Sequence, residues 1–198
     1  MNMKKLIVCV LILVMALGII TSALGETTTP ASSDFTFHNG VKLGMTREEV
    51  RQIEGTESAS DQSGMLYNGQ FVGGFNAQLV YVFQGENGTL STIYTSFLST
   101  YADSSVYIDE FNKIDTGLGT KYTPGLAVNW YCWDVETYKD QPKMYGVAIA
   151  EGDMRLESQW YCGNVEIFHA LTGGGGVIYH TIRYQDKDFV APLNTDGL

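Results

Sequence analysis

Apolar residues recur along this chain at two spacings, and each change of spacing marks an element. Thr46-Arg47-Glu48-Glu49-Val50-Arg51-Gln52-Ile53-Glu54-Gly55 reads as a short helix. Thr46 can cap it while Glu49 reaches back, Met45 can staple onto Val50, and Gly55 stops it. A second helix is predicted from Ser105 to Tyr122, where Ile108, Phe111, Ile114 or Asp115, Leu118 and Tyr122 recur at helical spacing. Gly117 and Gly119 weaken its last turns. Strand patterns fill the rest: Met65 to Tyr67 before a turn at Asn68-Gly69, then Ala77 to Phe83 and Leu90 to Leu98 around Asn87-Gly88. Beyond Pro124 come Val128 to Trp133, Tyr145 to Ala150, Arg155 to Cys162, Val165 to Leu171 and Val177 to Tyr184. The expected class is α+β, because short turns between strands favour antiparallel meanders over parallel crossovers. Two helix-plus-antiparallel-sheet units are expected, residues 35–102 and 103–198, with helices on one face of a meandering sheet.

Alternation assigns the two faces. A two-residue turn at Asn87-Gly88 would put Val82 opposite Ile93 and Val80 opposite Thr95, with Phe97 on the same face, beneath the helices. Leu79, Tyr81 and Phe83 would then share the other face with Thr92, Tyr94 and Ser96. In the last hairpin Val165, Ile167, Leu171, Ile178 and Ile182 share one face, and Glu166, Phe168, Tyr179, Thr181 and Arg183 the other. Tyr131 and Trp133 point one way from their strand, as do Glu157, Gln159 and Tyr161 from theirs. Aromatic rings with a polar handle are what binding hot spots favour. The candidate binding residues are therefore Tyr81, Phe83, Tyr94, Tyr131, Trp133, Tyr161, Phe168 and Tyr179. Ordinary cross-strand partnership on a half-exposed sheet accounts for the same tyrosines without a ligand.

The amino end carries a different pattern. Lys4 and Lys5 precede an apolar run from Leu6 to Ile20, and small residues close it at Ala23-Leu24-Gly25. That is the order of a secretory signal, expected over residues 1–25, with a flexible tether over 26–34 and a single domain over 35–198. A secreted or cell-envelope location follows, with membrane contact only through the signal. An uncleaved anchor is the other reading of the same run. Loss of Lys4 and Lys5 would leave 10 basic against 22 acidic residues, a formal charge of −12. Nucleic acid is excluded as a partner class, since phosphate binding needs a basic footprint.

Candidate chemistry is sparse. Cys132 and Cys162, in the echoing contexts Trp130-Tyr131-Cys132 and Trp160-Tyr161-Cys162, read either as a disulfide or as two small buried hydrophobes. If Gly173 to Gly176 form the whole of a hairpin loop, His169 falls across from His180 on the aliphatic face. No cysteine or carboxylate on those two strands shares that face, so a buried hydrogen-bonded pair is expected there and no metal. The glycine run opens no helix and so lacks the features of a phosphate cradle. Glu48-Glu49 and Asp109-Glu110 suit capping or solvation, and Glu151 with Asp153 brackets a Gly152 turn. Asn87-Gly88-Thr89 fits a glycosylation acceptor as well as a hairpin turn. No nucleophile elbow, zinc-protease run or calcium loop is present in the sequence, and no cofactor is implied.

Gly40, Gly44-Met45-Thr46, Glu49-Val50 and Gly55 together resemble the opening motif of the β-lactamase-inhibitor-protein-like group, which includes the small lipoprotein of the outer-membrane barrel-assembly machine. The helix-then-sheet order is similar to the tandem arrangement of the inhibitor protein. The resemblance implies an exported, non-catalytic module that binds other proteins through its sheet. It departs from the lipoprotein in lacking a cysteine placed for lipid attachment. A protein or peptide partner is expected, with a glycan as an alternative. Two other classes stay open: a hydrolase of cell-wall or dietary polymer, marked by convergent carboxylates in a deep pocket, and a structural envelope component.

Overall fold

The first helix begins where its capping signal predicts. In the computed structural model of the chain, which describes residues 35–84, 88–122 and 128–188, α1 runs Arg47–Glu54. The Thr46 hydroxyl accepts from the Glu49 amide at 3.3 Å, and the Glu49 carboxylate accepts from the Thr46 amide at 2.7 Å. Both halves of the capping box are made, and Gly55 ends the helix at a φ of 85°. The predicted signal and tether lie outside the described residues.

The second helix, α2, spans Ser105–Lys121 and buries Phe111, Ile114 and Leu118, three of the positions its periodicity names. Glu110 is buried too, against the expectation that the Asp109-Glu110 pair serves solvation. A third helix, α3 (Tyr145–Glu151), replaces the strand expected over Tyr145 to Ala150. Such short apolar runs carry no decisive period, and here Ala148 and Ile149 fit a helical stripe that enters the core. Gly146 allows the approach, because a Cβ there would lie 2.5 Å from the carbonyl carbon of Ser104 at the start of α2.

Eight strands form one sheet: β1 (Ala59–Ser60), β2 (Gly64–Val72), β3 (Phe75–Gln84), β4 (Thr89–Phe97), β5 (Val128–Trp133), β6 (Met154–Cys162), β7 (Val165–Gly174) and β8 (Val177–Asp186). Their order is β1-β2-β3-β4-β8-β7-β6-β5, and every neighbouring pair is antiparallel. With three helices beside it, the described chain is α+β.

Three hairpins differ from the turns expected of them. Asn68-Gly69 is not a turn but a bulge within β2, and the β2–β3 turn is Gly73-Gly74, with φ of 61° and 87°. Between β3 and β4 the ladder closes at Gln84 opposite Thr89 and slips once more after Phe83, so Tyr81 faces Ile93. A one-residue slip turns a whole strand over. Hence Ala77, Leu79, Tyr81 and Phe83 enter the core, and Val80 and Val82 do not. In the last hairpin only Gly175-Gly176 form the turn, and His169 lies opposite Ile182. That slip is of two residues, so the predicted faces of β7 and β8 survive it.

Two apolar clusters fill one side of the sheet. Val50 of α1 and Ile114 and Leu118 of α2 join Met65, Tyr67, Leu79, Ile93, Ile167 and Ile182 in the larger one. Phe111 of α2 and Ala148 and Ile149 of α3 join Met154, Leu156 and Leu171 in the other. All these strand residues share the inner face of the sheet by register.

Candidate binding face

The opposite, outer face is built from rows of directly paired residues. One row crosses six strands: Leu66 opposite Val80, Val80 opposite Tyr94, Tyr94 opposite Arg183, Arg183 opposite Phe168 and Phe168 opposite Gln159. None of these residues belongs to either apolar cluster, and every buried apolar side chain of the three helices does. The helices therefore stand on the inner face, and no described helix packs on the outer one.

Exposed apolar area gathers there. Among the described residues seven large hydrophobic side chains are exposed: Phe71, Leu98, Tyr131, Val135, Tyr161, Val177 and Tyr179. Alternation places five of them on the outer face, Phe71, Leu98, Tyr161, Val177 and Tyr179. Phe71, at 70 %, is the most exposed. Phe71 pairs with Asn76, whose carbonyl accepts from the Leu98 amide at 3.0 Å, so Phe71 and Leu98 flank one residue of β3.

Polar contacts hold the centre of the face. The Arg183 guanidinium lies 5.4 Å from the centre of the Phe168 ring and 3.3 Å from the Glu166 carboxylate. Gln159 donates to the Tyr161 hydroxyl at 2.6 Å and also to Glu166, while the Lys187 ammonium sits 4.5 Å over the Tyr161 ring. Burial pushes the Tyr94 phenol up, opposed by the charge of Arg183. Burial and then the charge of Glu166 push the Tyr161 phenol up in the same way. Both rings thus keep their hydroxyl protons and can donate them. Farther along, Arg155 holds Glu157 at 2.8 Å and Asp134 at 2.6 Å. The face offers apolar area, cations, phenols and amides, and Glu157 and Glu166 are each paired with an arginine.

The eight residues singled out in the sequence divide evenly. Tyr94, Tyr161, Phe168 and Tyr179 stand on the outer face. Tyr81 and Phe83 do not: the β3 slip buries both, with the Tyr81 hydroxyl on Glu54 at 2.7 Å and the Arg47 guanidinium 4.6 Å over the Phe83 ring. Tyr131 and Trp133 pair with Leu156 and Met154 and so take the helix side, their rings 6.2 Å and 5.2 Å from that of Tyr145. The strand expected over Tyr145 concealed this, since a helix there covers the ring of Trp133. Phe71 was missed because the turn was placed at Asn68-Gly69. The Gly73-Gly74 pair was the signal that could have found it.

Cys132 and Cys162 are not joined in a disulfide. Cys132 pairs with Arg155 on the outer face, whereas Cys162 packs against the inner core. The histidine pair is buried and hydrogen-bonded, as expected, with its two carboxylate partners supplied by α2 rather than by the strands. No family model, no curated protein and no solved structure matches the chain, and its function is therefore argued from this geometry.

Proposed function

We propose that the chain is an exported, non-catalytic binding or inhibitory module that recognises a protein or peptide through the outer face of its sheet. The observation that carries the reading is the concentration of exposed apolar side chains on that face. Apolar area of this kind, rimmed by polar residues, marks interaction surfaces more often than it occurs by chance on a monomer. Export rests on the signal-like amino end, and an acidic domain outside the cytoplasm fits the charge of the chain.

The strand order supports the two-unit reading. Exchanging β1 to β4 for β5 to β8 leaves the order β1-β2-β3-β4-β8-β7-β6-β5 unchanged when it is read from the other end. This is the pattern of two meanders joined edge to edge by β4 and β8, and it agrees with the tandem arrangement that the resemblance implies. The second unit carries an extra helix, α3, between β5 and β6.

Affinity capture with the domain from residue 35 onward, from the envelope fraction and medium of the producing cell, tests the reading. Capture by the unaltered domain is to be compared with capture by Tyr161→Ala, Phe168→Ala and Tyr179→Ala combined. Loss of one partner from the triple variant, with folding intact by circular dichroism, supports the proposal. Equal capture by the two proteins overturns it.

A further inference from the structure

Beneath the sheet, five polar side chains form one chain of hydrogen bonds. The Tyr101 hydroxyl donates to Glu110 Oε2 at 2.5 Å, and Glu110 Oε1 lies 2.8 Å from His180 Nδ1. His180 Nε2 is 2.7 Å from His169 Nε2, and His169 Nδ1 is 3.2 Å from Asp115 Oδ1. The side chains of His169, His180 and Glu110 are 0 %, 2 % and 1 % exposed, so water does not supply missing partners.

Counting protons leads to a definite charge. Each of the three gaps, Glu110 to His180, His180 to His169 and His169 to Asp115, needs one proton between its atoms, because two lone pairs 2.8, 2.7 or 3.2 Å apart repel. Two neutral imidazoles and two ionised carboxylates bring only two protons. The third makes one imidazole an imidazolium, or places a proton on a carboxyl, with the same total.

We infer that these four groups hold three protons at neutral pH, one more than they carry when apart, and that the shared proton fastens α2 to β7 and β8. Burial pulls both imidazoles down, and His169, which also feels the charge of His180, is pushed to about 4. His180, 2.8 Å from Glu110 where His169 is 3.2 Å from Asp115, is the better placed of the two to carry the cation, and it faces a Glu110 whose hydrogen bonds keep it ionised against the pull of burial. With two protons one of the three gaps stays empty, so the complete chain of contacts exists only in the protonated cluster and opposes the pull of burial on His180. The titratable groups facing the pair are Glu110 and Asp115 of α2 and, through Glu110, Tyr101. Phe97 of β4, Phe111 of α2 and Trp160 of β6 pack around the rings and carry no charge.

The arrangement is a pH-sensing lock. Losing the shared proton sets two lone pairs against each other in a buried site of charge −2, and gaining a fourth sets two N–H groups against each other. Above the ordinary histidine value of about 6.5 the folded cluster holds more protons than the unfolded chain, so stability falls as pH rises. Between that value and the second protonation, which the His169 imidazole takes at about 4, the unfolded chain holds more, so stability falls as pH drops. Each limb has a slope of about tenfold in the folding constant per pH unit. His169 follows Phe168 and His180 follows Tyr179, so the lock anchors backbone that presents outer-face rings, although the inference does not depend on what that face binds.

Nitrogen-15 spectra of the histidine rings in the intact domain test it directly. At pH 7.5 one imidazolium shared between two residues and a strongly deshielded, slowly exchanging ring proton are expected. Release of about one proton on unfolding at pH 8 is expected from calorimetry in buffers of different ionisation enthalpy. Glu110→Gln should remove that release, and an Asp115→Asn variant provides the same reading if the first does not fold. Two neutral rings at pH 7.5 with no proton released on unfolding would overturn the inference.

Discussion

The carbonyl oxygen of Ile149, in the last turn of α3, rests directly on Gly173 of β7. A Cβ at Gly173 would overlap that oxygen, and it would also lie 2.8 Å from the carbonyl oxygen of Val177. Of the four consecutive glycines, Gly173 and Gly174 are therefore strand residues, and the missing side chain of Gly173 lets a helix sit on the sheet, while the other two make the turn, with φ of 60° and 81°.

Gly173→Ala is accordingly expected to cost about 1–3 kcal/mol or more, since overpacking against backbone cannot be relieved by a rotamer change. Gly175→Asn should cost far less, because asparagine tolerates the left-handed turn conformation. Urea unfolding of the two variants measures the contrast. Equal costs would mean that α3 does not rest on Gly173.

How far the fold was legible follows from what each signal measures. Thr46 and Glu49 reported α1 correctly because a capping box is satisfied by residues three apart, with no need of distant chain. Ile167 and Ile182 reported the faces of β7 and β8 correctly because the hairpin slipped by an even number of residues. Tyr81 was misplaced because the β3–β4 ladder slipped by an odd number, and the bulge responsible depends on packing across the whole sheet. The facing alternation itself held on β6, β7 and β8, whereas β4 carries the extra residue, with Leu90 and Ile93 both entering the core. Trp133 was misplaced for another reason: only tertiary packing decides that Tyr145 to Glu151 is helical. Glu110 looked like a solvated helix residue, and nothing local to α2 announces His180, seventy residues away, which draws it inward.

The buried Tyr81 hydroxyl gives a second prediction. It donates to Glu54 at 2.7 Å, and the Glu54 side chain is 2 % exposed. Burial first, and then Glu54, push the Tyr81 phenol far above its usual range. Tyr81→Phe removes the donor and leaves a buried carboxylate short of one partner, a loss of about 1–3 kcal/mol. Chemical denaturation should show that loss while outer-face binding is unchanged. A variant as stable as the parent would show that Asn39 and His38 satisfy Glu54 without it.

Acid stability should depend on Glu57. Arg51 grips its carboxylate with Nε and Nη2, at 3.0 Å and 2.6 Å, and this holds the Glu57 carboxyl down at about 2. A carboxyl whose folded value is depressed contributes stability that is present above its unfolded value, near 4.3, and is lost as pH falls through the folded one. Glu57→Gln should therefore flatten the loss of stability between about pH 4 and pH 2 without altering the profile above pH 6. Thermal unfolding across that range measures the difference. Parallel profiles for the two proteins would show that Arg51 does not hold Glu57 in solution.

The cysteines give the last prediction. Cys132 shares the outer face with Arg155 and Glu157, its sulfur 3.8 Å from the Glu157 carboxylate. Cys162 faces the other way, against the apolar core. Two residues on opposite faces of a sheet cannot meet the short Cα separation a disulfide needs without dismantling β5 or β6. Burial, then Glu157, push the Cys132 thiol up, which lowers its thiolate fraction and slows its attack on disulfide reagents. The purified domain, in air and without reductant, should therefore titrate with two thiols under denaturing conditions. Reduction should leave its mobility and melting temperature unchanged. A single disulfide found by mass spectrometry of the non-reduced protein would require β5 to pair differently from the register that joins Cys132 to Arg155.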